Sequence, residues 1–205
     1  MKFFRSLPLC SHQLLLPLLV SVLAISAYFF SDLFGELFIY QRDKVIDFQL
    51  WRLFTSHFFH TNVAHLLLNL SAVVLLWALH GQFYTYKNYS LLLLTCALTS
   101  SIGIYFDSPE LHQYVGLSGV LHGLFVWGAL KDIQHKDKTG YLLFVGVWIK
   151  IAHEQIFGAS NDVAALINAS VAVDAHLWGA VGGLFIGFVS FLMLAKQQVS
   201  SSQSH

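Results

Sequence analysis

Runs of apolar residues that approach or reach the length of a bilayer crossing recur along the chain, separated by short polar connectors. A segment in lipid must satisfy its own backbone polar groups, so such a chain is restricted to helices or a closed barrel. Runs of roughly 20 residues suit helices, whereas membrane strands are about half that length. On this measure helices are expected at about 14–30, 63–79, 89–105, 118–130, 140–157 and 174–194. The expected fold is an all-α membrane protein, a compact bundle of about six transmembrane helices forming one domain over 1–205. The fourth run is short, as expected if protein rather than lipid shelters its first turn. Residues 158–172 are weakly polar and show no clear element.

Composition agrees with a lipid environment. Only 11% of residues are charged, less than half the roughly 25% of a soluble domain. The formal net charge of zero leaves no basic excess for nucleic acid, so membrane lipid and membrane proteins are the expected partners. Cys10 and Cys96 lack ligand-like spacing, which argues against a thiolate metal site or a disulfide framework. Lys2 and Arg5 before an apolar run resemble the start of a signal peptide. No small-residue cleavage site follows Phe30, so this run is read as the first membrane helix. Residues 31–62 mix charges such as Asp32, Glu36 and Arg42 with many aromatics, a composition suited to the membrane interface.

An even number of helices puts both termini on one side. With that side cytoplasmic, Lys2, Arg5, Lys87, Lys131, Lys136, Lys138 and Lys196 lie inside and only Arg42, Lys44 and Arg52 lie outside. The positive-inside rule therefore favours both ends in the cytoplasm. The connectors into the second, fourth and sixth helices then face outward. In the sixth, Ala175, Gly179, Gly183 and Gly187 recur every four residues, a stripe that lets a neighbouring backbone approach closely. Gly119 and Gly123 form a shorter version in the fourth.

Polar groups within apolar runs cost free energy unless paired, so each needs a reason. His65 and Asn69 share one face of the second helix and could simply bond each other or a neighbour. Ser118, in Gly116-Leu117-Ser118-Gly119, starts the fourth helix, where a serine is commonly an N-cap. His176 lies in the first turn of the sixth helix. Together they supply a hydroxyl, an imidazole and further hydrogen-bond donors at one end of the bundle. Those are the components of serine hydrolysis: nucleophile, general base and oxyanion stabilisation. A metal-dependent hydrolase using His57, His60, His65 and His176 with Asp107 or Asp174 is a competing reading, although no HExxH string occurs. A transporter or non-enzymatic binding protein is another, although no related halves are visible.

Over residues 51–187 the sequence resembles the rhomboid-type intramembrane serine proteases. Trp51-Arg52 with His57 and His60, followed by His65 and Asn69, is similar to the family's first-loop and second-helix signature. Gly116-Leu117-Ser118-Gly119 is similar to its nucleophile motif, and Ala175-His176 with Gly179 and Gly183 to its base motif. The resemblance implies Ser118 as nucleophile and His176 as general base of a dyad, without cofactor or metal. It implies His65, Asn69 and the Ser118 N–H as oxyanion donors, with Gly116 and Leu117 on the oxyanion and substrate-binding side. Arg52 falls where the family has an arginine that orders the first loop, and His60 matches a buried structural histidine. His122 departs from the pattern, because the family often has a tyrosine there that stacks on the catalytic imidazole.

The string 115–123, with Lys150 and Glu154 on the fifth helix, is similar to the rhombosortase branch. That resemblance implies a bacterial inner-membrane enzyme opening toward the periplasm. Its substrates would carry a C-terminal Gly-Gly motif, one membrane helix and a basic tail; a general membrane-protein sheddase is the alternative. Lys150 and Glu154 lie one turn apart, spaced as an ion pair that limits the cost of burial, or as a contact for the substrate. A dyad needs no carboxylate, and Asp174 is two residues from His176 on a helix, where side chains diverge.

Overall fold

The computed structural model describes residues 7–202, with side chains described to residue 192. Lys2 and Arg5, counted above for orientation, lie outside the described residues. In chain order the elements are α1 Ser11–Phe29, α2 Ser31–Phe38, β1 Tyr40–Gln41, α3 Arg42–Ile46, α4 Arg52–Thr55 and a 3-10 turn Ser56–Phe58. There follow α5 Val63–His80, a second 3-10 turn Gly81–Phe83, α6 Tyr86–Asp107, β2 Gln113–Tyr114 and α7 Ser118–Gln134. The chain closes with α8 Thr139–Phe157, α9 Asn161–Ile167 and α10 Val173–Ser202.

Local chemistry sets where the site-bearing helices begin. The Asn62 side chain accepts from the backbone N–H of His65 at 2.8 Å, capping α5 and placing His65 in its first turn with Asn69 one turn further on. Thr85 and Asn88 form a reciprocal capping box that starts α6. At α7 the cap position is Leu117, which supplies no side-chain cap. Ser118 is thus the first helical residue rather than the cap, and its hydroxyl is left for another partner.

Four described helical stretches are long and apolar enough to cross a membrane alone: Ser11–Phe29, Val63–Phe83, Tyr86–Asp107 and Val173–Leu192. A fifth crossing is formed if α8 is counted with α9, which bends from it by 88°. The bend follows Gly158, whose φ of 77° suits a residue without Cβ. At 17 residues α7 is the shortest of the main helices. It packs against α5, α6, α8 and α10 and buries Val120, Leu124, Val126 and Trp127, so protein rather than lipid encloses most of it. The lipid-facing surface is supplied by exposed residues such as Leu18 and Val22 on α1, Leu142 and Ile149 on α8, and Phe185 and Phe188 on α10.

The small-residue stripe sets the closest helix contact. A Cβ on Gly179 would collide with the Gly119 carbonyl, and one on Gly183 with the Gly123 carbonyl. Backbone therefore meets backbone along α7 and α10, the mode that small residues permit in membranes. This contact joins the helix that begins with Ser118 to the helix that carries His176.

Residues 31–62 are more structured than their mixed composition suggests. Tyr40 and Gln41 pair antiparallel with Tyr114 and Gln113, tying this segment to the strand just before Ser118. Arg52, 3% exposed, donates to the Ile39 carbonyl at 2.7 Å, the Glu36 carbonyl at 2.8 Å and Gln49 Oε1 at 2.9 Å. The loop's backbone is wrapped around one guanidinium, whose planar fork can serve several acceptors at once. The stretch 158–172, given no element from sequence, holds α9. It is fastened to the start of α5 by Thr61 Oγ1 to the Ile167 carbonyl (2.6 Å) and Asn62 Nδ2 to the Leu166 carbonyl (2.9 Å). At the opposite end Trp77 Nε1 donates to the Pro8 carbonyl at 3.1 Å.

Candidate active site

Ser118 and His176 come from different helices, and their reactive atoms meet: His176 Nε2 lies 2.9 Å from Ser118 Oγ. On its other side, His176 Nδ1 lies 2.9 Å from Glu154 Oε2. A carboxylate can only accept, so Nδ1 carries the proton and Nε2 is left to accept from the serine hydroxyl. That is the tautomer a general base needs.

The sequence reading placed no carboxylate at His176, and the structure differs. Glu154 projects from α8 toward α10, and the expected ion pair with Lys150 is one part of a larger network: Lys150 Nζ lies 2.7 Å from Glu154 Oε1 and 2.8 Å from His122 Nε2. The His122 ring stacks on His176 with centroids 4.1 Å apart and planes at 20°. Its Nδ1 lies 2.7 Å from the Ser118 carbonyl. The Nδ1 proton is therefore committed to that carbonyl, and Nε2 accepts from the Lys150 ammonium. An imidazole thus occupies a stacking position against His176 without sharing a proton with it.

Asp174 turns away, as its spacing from His176 implied, and accepts from Ser108 Oγ at 2.5 Å. Asp174→Asn keeps an acceptor for that hydroxyl, and any turnover supported by the Ser118–His176 pair is expected to stay within about threefold of wild type, roughly the effect of one neutral hydrogen bond. A kcat measured on purified protein checks this. A loss as deep as that of His176→Ala would give Asp174 a direct role.

The approach to Ser118 is fixed by groups that sequence reading missed or placed elsewhere. Gly116 has φ of 120°, a conformation suited to glycine, and a Cβ there would come within 2.8 Å of the His65 ring. Its carbonyl accepts from the Tyr114 hydroxyl at 2.9 Å and lies 3.2 Å from His57 Nδ1. Burial lowers the His57 imidazole to about 4, so it is neutral near pH 7 and held by its surroundings rather than by charge. Tyr114 carried no signal in sequence, since its partner is a backbone carbonyl two residues further along the chain. His57 could be found only as one histidine among several.

His65 Nδ1 lies 3.1 Å from the Thr61 hydroxyl, and the His65 ring meets the buried His60 edge-on with centroids 4.9 Å apart. His60 Nδ1 donates to the Phe58 carbonyl at 3.1 Å. Asn69 Nδ2 donates to the His65 carbonyl at 3.2 Å, leaving a second amide hydrogen for another acceptor. Leu117 is fully buried beneath the start of α7, where the backbone N–H groups of Ser118, Gly119 and Val120 have no intrahelical partners.

Two cavities reach Ser118. The larger, about 1000 Å³, is lined from α5 by Asn69 and Leu75, from α8 by Lys150 and Phe157, and by Ser118 and His176. The smaller, about 250 Å³, lies between His65, Tyr114, Ser118, Ile167 and Val171.

Of the histidines considered as a metal set, His57 faces Gly116 and Ala97, and His60 faces Phe58. Asp107 accepts from Trp178. Among the described residues the one group with converging ligand atoms is His122, Glu154 and His176. The Lys150 ammonium already bonds two of these side chains, so the group holds its own cation.

A multi-pass membrane bundle with a serine bonded to histidine near one end of its helices defines a class: polytopic proteins with the site of a serine hydrolase. The family model for the Rhomboid domain matches residues 47–193, and the chain belongs to the rhomboid family. Similar curated proteins include those called Rhomboid protease GlpG of Salmonella paratyphi A, Salmonella newport and Salmonella typhi. Each is 29% identical over 164 residues, covering 76% of this chain and 54% of the relative. The chain therefore spans about half the length of these relatives.

Proposed function

We propose that the protein is an intramembrane serine endopeptidase that cleaves transmembrane proteins near the outer leaflet. The observation that carries this reading is the 2.9 Å approach of Ser118 Oγ to His176 Nε2, within hydrogen-bond reach for a nucleophile and its base. His176 takes the hydroxyl proton as Ser118 Oγ bonds to the scissile carbonyl carbon. The same proton passes to the leaving amine as the C–N bond breaks, and water then releases the acyl group. The backbone N–H of Ser118 and the side chains of His65 and Asn69 are the oxyanion donors, each worth roughly 3–4 kcal/mol when well aimed. The large cavity between α5 and α8 receives the substrate segment from the side, and neither cofactor nor metal is required.

The finer reading is a rhombosortase-like specificity for C-terminal signals that combine Gly-Gly, one membrane helix and a basic tail. The similarity of residues 115–123 and of the Lys150 and Glu154 pair supports it. The proposed location is the inner membrane with both termini in the cytoplasm and the site opening to the periplasm. The grouping of Asn62, Ser118 and α9 at one end, and of Pro8 with Trp77 at the other, fits this topology. Co-expression with a reporter bearing such a tail tests the proposal. Wild type is expected to remove the tail and Ser118→Ala to leave it. Equal cleavage when Gly-Gly is replaced by Leu-Leu would instead identify a general sheddase.

A further inference from the structure

We propose that Glu154 is a third working member of the site, a positioning residue that acts through His176, and that Lys150 and His122 hold it in place. This rests on the serine protease reading above. The hydrogen bonds form a closed circuit. It runs from Ser118 Oγ to His176, on to Glu154, to Lys150, to His122, and back to the Ser118 carbonyl, with contacts of 2.7–2.9 Å throughout. Both ends of the circuit are on one residue, so the nucleophile's hydroxyl and its backbone are positioned by the same four side chains.

Each proton in the circuit has an assigned place. The Glu154 oxygens are divided, Oε2 to His176 and Oε1 to Lys150, so the carboxylate cannot rotate without breaking a bond to a charged or reacting partner. The Glu154 and His176 side chains are 13% and 6% exposed, so protein covers most of each. As Ser118 Oγ attacks, its proton moves to His176 Nε2 and makes an imidazolium. Glu154 remains ionised beside Nδ1 and offsets that charge, without taking the proton. Lys150 keeps the carboxylate charged and aimed. His122, whose one ring proton is committed to the Ser118 carbonyl, accepts from Lys150 and backs the base by stacking. Asp174, the carboxylate nearer in sequence, is engaged with Ser108. A Lys–Glu pair kept only to lower the cost of burial would need no contact with His176.

The test uses purified full-length protein and a fluorogenic transmembrane substrate. Glu154→Gln is expected to lower kcat by about 10²–10⁴-fold, with KM within about twofold and melting temperature little changed. Glu154→Asp should recover part of the loss, and Lys150→Met should give a smaller loss than Glu154→Gln. In wild-type protein the ¹⁵N spectrum of His176 should report a proton on Nδ1, a measurement that needs no variant to fold. The proposal is overturned if Glu154→Gln keeps kcat within about threefold of wild type while Ser118→Ala is inert. It is equally overturned if His176 carries its proton on Nε2. Should Ser118→Ala itself retain activity, the protease reading fails first, and the two failures are thereby told apart.

Discussion

Ser118→Ala is expected to abolish cleavage while the protein still folds and melts as wild type does. The substitution removes the hydroxyl that lies 2.9 Å from His176 Nε2. It leaves the start of α7 intact, because Leu117 rather than Ser118 occupies the cap position. The backbone N–H of residue 118 and the α7–α10 contact are also untouched. The loss in kcat should be on the order of 10⁶-fold, the scale seen when the nucleophile of a serine protease is removed. His176→Ala should match it, and the double variant should be no worse than either single one, the result expected of a nucleophile and base that work as one unit. Turnover of a fluorogenic transmembrane substrate, with circular dichroism on the same samples, measures both halves of the expectation. A double variant clearly worse than both single ones would show that each residue works separately.

The second large effect is on folding. Gly179→Leu would drive a side chain into the Gly119 carbonyl, where the obstacle is backbone and cannot turn aside. Overpacking of well-packed interiors typically costs about 1–3 kcal/mol and sometimes more; here the helices must separate, so the upper end or beyond is expected. The activity loss should exceed the stability loss. α7 begins with Ser118 and α10 carries His176, and a displacement of about 1 Å between reacting groups can cost on the order of 10²-fold. Gly146→Ala on α8 is the matched control, because nothing lies within 4 Å of a Cβ there, and it should melt at or slightly above wild type. Melting of detergent-solubilised variants, followed by activity at a temperature where each is folded, separates the two effects. A Gly179→Leu protein as stable and active as wild type would mean that α7 and α10 do not approach so closely.

Local features were legible in the sequence, and those set by relative helix rotation were not. The apolar runs locate the main helices because lipid demands a minimum length. The α10 glycine stripe gives its packing face because small residues at four-residue spacing must lie together. The divergence of Asp174 from His176 follows from helical geometry within two residues. The Glu154–His176 contact joins residues 22 apart and depends on how α8 is turned about its axis beside α10. The Lys150 and Glu154 spacing reveals their mutual pair and nothing of its third partner. β1 and β2 were missed because two residues per strand carry no alternating pattern, and α9 because a seven-residue helix has too few turns to show periodicity. Arg52 is an intermediate case. Its type marks it as able to gather several carbonyls, while the choice of Glu36 and Ile39 belongs to the folded loop.

The central claim is that Ser118 is a nucleophile activated by His176 within the membrane. The most direct measurement is reaction of the intact protein with a serine-reactive fluorophosphonate, followed by peptide mapping. One covalent adduct is expected, on Ser118 Oγ, and it should disappear in His176→Ala although the hydroxyl remains. An adduct on a different residue would contradict the account. So would activity that survives the reagent but is lost to a chelator.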